Sequence, residues 1–299
     1  MDELRRSSHD GNSWSHLVTI GGEVLLRPLG FKRRLVTLDG QVIDLLEGRG
    51  SGGPDLIFLH GLGDRNSTWH RVLWRLTRGP WGRILVPDLP GFGRSFLSPG
   101  QSMPDMDEGL ELMRRLVAEI CPEPPLLIGN SLGGWLAWRF MTRYPNDLLG
   151  LLLLAPAGFM SAPEAYELGQ RFLQGQRNEM TDAIMGDARF DMRFFARRII
   201  GHMLSSEVVA ELCNQDFREM LCQDGELAPY AARVRCLWGE LDSLMPRRSL
   251  EMLRQEIGEN LVFEPVGHAP QQTRPGMVVR ELKALVEQLS QSALGAPCA

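Results

Sequence analysis

The stretch Leu126 to Phe140 reads LLIGNSLGGWLAWRF. A short apolar run stops at Gly129-Asn130-Ser131-Leu132-Gly133, and a helix-like pattern begins about Trp135. A run of that length bounded by glycines is consistent with a buried strand, and the spacing after it with an amphipathic helix. Gly-x-Ser-x-Gly at a strand-to-helix junction is the pattern of a nucleophile elbow, in which a tight turn exposes one hydroxyl at the end of a sheet. Glycines flank the serine because the turn leaves no room for side chains, and the following helix aims free amides at the same point. A plain turn with serine as the helix cap would use the same residues, so the motif needs partners.

Outward from this point the strand-helix rhythm continues. KRRLVTLDGQVIDLLEGRG gives two strand-like runs about Asp39-Gly40, a hairpin signal. LIFLHGLGD and GRILVPDLPGFGRS each end an apolar run in a glycine-rich loop. NSTWHRVLWRLTRG reads as a helix capped by Asn66, Ser67 or Thr68, and MPDMDEGLELMRRLVAEIC as an amphipathic helix. LLGLLLLAPAG is a further strand. From about Phe159 to Pro229 no strand-like run occurs, and helical patterns rich in Met, Phe and Arg follow one another. The rhythm returns with RVRCLWGELD, PRRSLEMLRQEI, LVFEPVGHAP and a last helix from Pro275 to about Leu289. Such alternation predicts an α/β fold with a mostly parallel sheet and helices on both faces. The expected organisation is an extension over 1–30, a core over 31–158 and 230–291, a helical cap over 159–229, and a frayed tail over 292–299.

Bulk properties narrow the function classes. The 299 residues carry a net charge of −5, which does not advertise nucleic acid as a partner. The longest apolar run, Leu148 to Met160, is too short for a bilayer, and the N-terminus lacks a secretory pattern. Five cysteines without metal-site spacing read as free thiols of a reducing cytoplasm. No metal or organic cofactor is called for, and the expected partner is a small molecule.

A serine hydroxyl needs a base, and the base an orienting acid, in the order Ser, Asp or Glu, His on this kind of elbow. RCLWGELDSLMP places Asp242 just beyond an apolar run, with Glu240 as rival acid and helix capping as the rival role for Asp242. LVFEPVGHAP places His268 just beyond the next. The other histidines fit less well: His9 and His16 lie in the extension, His70 in a helix pattern, His202 in the insertion. The oxyanion would be held by the Leu132 amide and, from the HGLGD loop, the Leu62 amide. His60 reads as a structural histidine, and the insertion's apolar residues Phe159, Phe194, Phe195 and Met203 as candidate pocket walls. Arg189, Arg193, Arg197 and Arg198 read as a solvated helix face, with recognition of an anionic group the lesser reading.

LHGLGD, VPDLPGFGRS, LIGNSLGGWLA, LWGELDSLMP and GHAPQQTRP, in this order over about residues 33 to 290, resemble the α/β-hydrolase superfamily, specifically its members with a helical cap. The resemblance implies the α/β-hydrolase fold, the oxyanion assignment, a structural role for Asp88, and hydrolysis of a carboxylic ester or similar acyl bond. Related dehalogenases and epoxide hydrolases use Asp at the elbow, whereas this chain has Ser131; serine-bearing haloperoxidase-like members remain compatible. The GNSLGG wording is also similar to that of C–C bond hydrolases, whose oxyanion loop is usually richer in glycine and carries a proline, unlike HGLGDRNST. Thioester hydrolysis is compatible with the same motifs, and so is a non-catalytic small-ligand receptor of this fold.

Overall fold

The computed structural model describes residues 26–295 except 39, 77–78, 96–102, 175–176, 187–206 and 215–216. Its centre is an eight-stranded sheet. The strands are β1 (Lys32–Leu38), β2 (Gln41–Arg49), β3 (Leu56–Leu59), β4 (Arg83–Pro87), β5 (Leu126–Asn130), β6 (Gly150–Leu154), β7 (Val234–Gly239) and β8 (Leu261–Glu264). Their order across the sheet is β1-β2-β4-β3-β5-β6-β7-β8. β3 to β8 run parallel, while β2 is antiparallel to β4 and closes the hairpin with β1. The hairpin turns at Gly40, whose φ of 79° suits a residue without Cβ.

The central strands LIFL, LLIGN and GLLLL are buried at every position, as parallel strands covered on both faces must be. Their side chains alternate between two layers. Ile57, Leu59, Leu127, Leu151 and Leu153 face one core cluster, and Leu56, Phe58, Leu126, Ile128, Leu152 and Leu154 face the other. Helices α1 (His70–Leu76) and, as the last helix, Pro275–Gly295 cover the second layer. Helices α2 (Met106–Ile120), α3 (Leu132–Arg143) and Arg247–Ile257 cover the first. α2 starts at a reciprocal capping box between Asp105 and Glu108.

Between β6 and β7 the described residues hold α4 (Ala162–Leu173), α5 (Arg177–Met185) and α6 (Glu207–Cys213), and no strand. After them come α7 (Arg247–Ile257), the single turn α8 (Pro270–Thr273) and α9 (Pro275–Gly295). The insertion is tied back to the core: Cys222 N–H donates to Gly158 O at 2.8 Å, and the Trp135 indole donates to Met220 O at 2.9 Å. It also touches the loop after β8. Ala269 N–H donates to Ile184 O at 3.2 Å, and a Cβ on Gly186 would lie 3.0 Å from Gly267 Cα. Among the described residues no helix is long and apolar enough to cross a membrane.

Two expectations, the helix cap and the frayed tail, need correction. Asn66, Ser67 and Thr68 do not cap α1; they form a 3-10 turn, Asn66–Trp69, that leads into it. The Asn66 amide is taken by Asp88 from another loop, which removes the need for a local cap. Residues just before 31, whose structure the sequence leaves open, pack on this core as well. Leu26 is buried, and the buried Phe31 ring lies over Gly48, where a Cβ would come within 2.4 Å of it. At the other end α9 continues to Gly295, so Ser290 and Ser292 are helical and bond the carbonyls of Val286 and Gln288.

Candidate active site

The parallel strands deliver their following loops to one edge of the sheet, and each candidate residue comes from such a loop. Ser131 follows β5. Its φ of 54° and ψ of −114° are unusual for a residue with a side chain, and such strain persists only where the surroundings enforce it. The enforcement is visible. Ser131 N–H donates to Leu154 O at 3.0 Å, and its carbonyl accepts from Trp135 N–H and Ala157 N–H at 2.9 and 3.1 Å. A Cβ at Gly129 would sit 2.2 Å from Gly133 O, and one at Gly133 2.3 Å from Leu59 O. Both flanking glycines are therefore demanded by backbone packing.

Asp242 follows β7 and His268 follows β8. They meet: His268 Nδ1 lies 2.8 Å from Asp242 Oδ2, with the Asp242 side chain fully buried and that of His268 nearly so. The other carboxylate oxygen accepts from the Leu244 and Met245 amides at 2.9 and 3.2 Å. These bonds leave the carboxylate one orientation, toward the imidazole. It does not cap α7, whose cap position is Pro246. Glu240 is exposed. His268 Nε2 is buried and makes no hydrogen bond among the described residues, Ser131 included. Such bonds between nucleophile and base are often long before substrate arrives.

Leu62 and Leu132 both border the cavity that Ser131 opens into. Gly61 stands so close that its Cβ would be 3.3 Å from that of Ser131. His60 is fully buried and holds this loop in place. It bonds Gly61 O through Nδ1 at 2.8 Å and accepts from Leu89 N–H through Nε2 at 2.9 Å. Burial holds its pKa down at about 4, so the ring is neutral. Asp88 is buried too and accepts from the amides of Asn66 and Arg94. Burial above all, with nearby Asp44 adding to it, pushes its carboxyl up to about 7. His70 turns back onto Ser67 O at 2.8 Å.

The cavity wall is apolar. α4 presents Ala165, Leu168, Gly169 and Phe172, and α6 presents Leu212 and Cys213. Met106, Met160, Met220 and Met245 complete much of the rest. Ser131 carries the sole hydroxyl among the described lining residues. Phe159 is not part of this wall. It is fully buried against Trp138, ring centroids 5.3 Å apart, while its neighbours Gly158 and Met160 reach the cavity. Phe194, Phe195, Met203, the four arginines of the insertion and His202, His9 and His16 lie outside the described residues. Cys121, Cys213, Cys222 and Cys236 are buried and unbridged.

Three polar side chains carry no signal in the sequence pattern. Asn130 and Gln271 bond each other at 2.9 Å, and Gln272 bonds Thr68 at 2.7 Å. The loop carrying His268 is thus joined to β5 on one side and to the segment after β3 on the other. The α4 stripe 165, 168, 169, 172 has helical spacing and is readable as an amphipathic face.

The chain is similar to known proteins in sequence and in fold. Residues 56–281 match the model of a family described as the alpha/beta hydrolase family. A pimeloyl-[acyl-carrier protein] methyl ester esterase of Aeromonas hydrophila is 29% identical over 255 residues, which cover 78% of this chain and 96% of that one. Among solved structures, carboxylesterase CesB of Bacillus subtilis superposes with a TM-score of 0.72 at 18% identity, covering 92% of this chain and 99% of that one. A 2-hydroxy-6-oxo-6-phenylhexa-2,4-dienoate hydrolase of a Rhodococcus strain gives 0.71 at 17%, covering 86% and 99%. Two near-equal scores for two different reactions mean that the backbone alone does not choose the bond cleaved.

Proposed function

The chain belongs to the alpha/beta hydrolase family, and from that membership and the site we propose that it is an esterase that cleaves carboxylic esters of apolar acyl chains through Ser131, His268 and Asp242. The observation that carries the reading is a strained serine, the sole hydroxyl among the described residues of an otherwise apolar wall, at the sheet edge where a buried His268–Asp242 pair also sits. Ser131 Oγ attacks the ester carbonyl carbon while His268 Nε2 takes its proton. The negative charge that develops on the carbonyl oxygen is met by the Leu132 and Leu62 amides. As the tetrahedral adduct collapses, the alcohol leaves with the proton from Nε2. Water then attacks the acyl-serine, gives its proton to Nε2 and releases the acid, with the proton returning to Ser131. Asp242 holds the ring with Nε2 facing the serine and stabilises the imidazolium.

The helices of residues 159–229 serve as a cap and supply the acyl wall. A charged group at the far end of the acyl chain finds no described charged side chain on that wall, so burying one there is costly. The esterase relatives make the methyl ester of a medium-length acyl chain a sensible first substrate. The test combines turnover of an ester series with fluorophosphonate labelling. Wild-type protein labels at Ser131 and turns over esters; Ser131→Ala does neither. Labelling at another residue, or undiminished turnover by Ser131→Ala, rejects the reading.

A further inference from the structure

Asn130 stands between Gly129 and Ser131 and is 4% exposed. Its Nδ2 donates to Leu154 O and to His268 O, each at 3.0 Å, and its Oδ1 accepts from Gln271 Nε2 at 2.9 Å. The two carbonyls can only accept, so they dictate which end of the amide faces them. Both N–H donors are used, and all three bonds are buried.

The partners come from three places. Leu154 ends β6 beside the nucleophile strand, His268 carries the proposed base, and Gln271 lies in the single turn α8 behind it. The segment from β8 to α8 has no regular structure of its own. Asp242 fixes the imidazole by one ring nitrogen but does not set where the main chain of His268 stands. The flanking residues are held by Ile184 O on Ala269 N–H and by the Gly186–Gly267 approach, and the His268 carbonyl itself by the Asn130 amide, which also grips its helical turn through Gln271.

We infer that Asn130, seconded by Gln271, is a positioning residue that holds the main chain of His268 in register with Ser131, acting on the reaction through the base. The inference rests on the esterase reading. An aspartate here would be the same shape but would set a carboxylate against two carbonyl oxygens. Alanine would leave both carbonyls and the Gln271 amide without partners, and misplacing a catalytic group by about 1 Å can cost on the order of 100-fold.

The experiment is a kinetic cycle on full-length protein with a p-nitrophenyl ester: wild type, Asn130→Ala, Asn130→Asp, His268→Ala and the double variant Asn130→Ala with His268→Ala. Expected are kcat losses of about 10- to 100-fold in both Asn130 variants with KM within about twofold, and an equal fall in the rate of fluorophosphonate attachment to Ser131. In the His268→Ala background Asn130→Ala should cost less than about twofold, because the residue it positions is gone. Gln271→Met, which keeps bulk but loses the donor, tests the same claim if an Asn130 variant does not fold; about a threefold to tenfold loss in kcat is expected, again absent without His268. Full activity in the Asn130 variants, or a loss that persists undiminished in the His268→Ala background, overturns the inference. A wild-type protein without ester turnover or Ser131 labelling instead overturns the esterase reading, and the two failures are distinct.

Discussion

The two walls of the cavity are built on different physics. On the sheet side, position is set at the level of the backbone. Gly133 touches the Leu59 carbonyl, Ser131 is held at positive φ, and His268 is gripped through its carbonyl as well as its ring. On the insertion side, position is set by apolar side chains along one face of α4 and by methionines, whose unbranched chains adjust to what they pack against. A reacting atom must stay within a fraction of an ångström, so its supports are rigid and directional. The acyl chain proposed for the other side needs only area and shape, and that wall is non-directional and tolerant.

That contrast is broken most sharply on the sheet side. Asp242→Asn should keep the fold and lose about 10⁴-fold in kcat, the cost of the equivalent change in a serine protease. Exposed Glu240, changed to Gln, should stay within about twofold. Steady-state kinetics of the two variants decide it, and a Glu240 effect as large as that of Asp242 would mean that the rigid wall has been drawn around the wrong acid.

Phe159 sits at the seam. Because its ring packs on Trp138 in the core, Phe159→Ala should cost about 3 to 5 kcal/mol of folding stability. Denaturant unfolding measures that loss; a small loss joined to a changed acyl preference would move Phe159 to the tolerant wall.

His60 probes the rigid wall by pH. Its pKa falls from 6.5 unfolded to about 4 folded. Between these values the unfolded chain binds a proton that the folded one refuses, so stability drops as pH falls from 6.5 towards 4 and is flat above 6.5. Asp88 slopes the other way: raised from 3.8 to about 7, it favours the folded chain as pH falls through that window. His60→Gln removes the first slope and leaves the second. Wild type should therefore lead the variant most at pH 7, and the lead should shrink by about 2 kcal/mol towards pH 4.5. Urea midpoints across that range check the sign; a lead that grows on acidification contradicts a neutral His60.

The smallest effect belongs to the tolerant wall. Ala165→Leu fills part of the cavity and should lower kcat/KM for the longest esters about tenfold, roughly 1.4 kcal/mol, with acetyl esters unchanged. An equal fall for every chain length would show that the insertion governs the chemistry and not only the fit.

Much of the rigid wall was legible in the residue string. Apolar runs ending in glycine marked the strand ends, and Asp242 and His268, which meet at 2.8 Å, follow two later runs. The tolerant wall was harder to read. Whether 165, 168, 169 and 172 face a cavity or a core depends on how the insertion docks. Phe159 missed the wall by one residue, because Gly158 at φ 100° redirects the chain there. Asn130 was hidden for another reason. Its partner His268 is 138 positions away, and no local pattern encodes a contact that only the closed sheet creates.

The contact of Gly186 with Gly267 bears on how freely such folds exchange parts. An insertion joined to a sheet by two strand ends looks like a module that can be grafted from one relative to another. Here the end of α5 rests on the loop that leads to His268, with both residues stripped to backbone. A donor segment with a side chain at position 186 would press on that loop, and one whose backbone does not bring the carbonyl of residue 184 to Ala269 would leave that amide without its partner. Chimaeras that respect this junction keep the proposed base where it stands. Those that cut across it alter the host's reaction along with its selectivity, however well the new pocket suits its ligand.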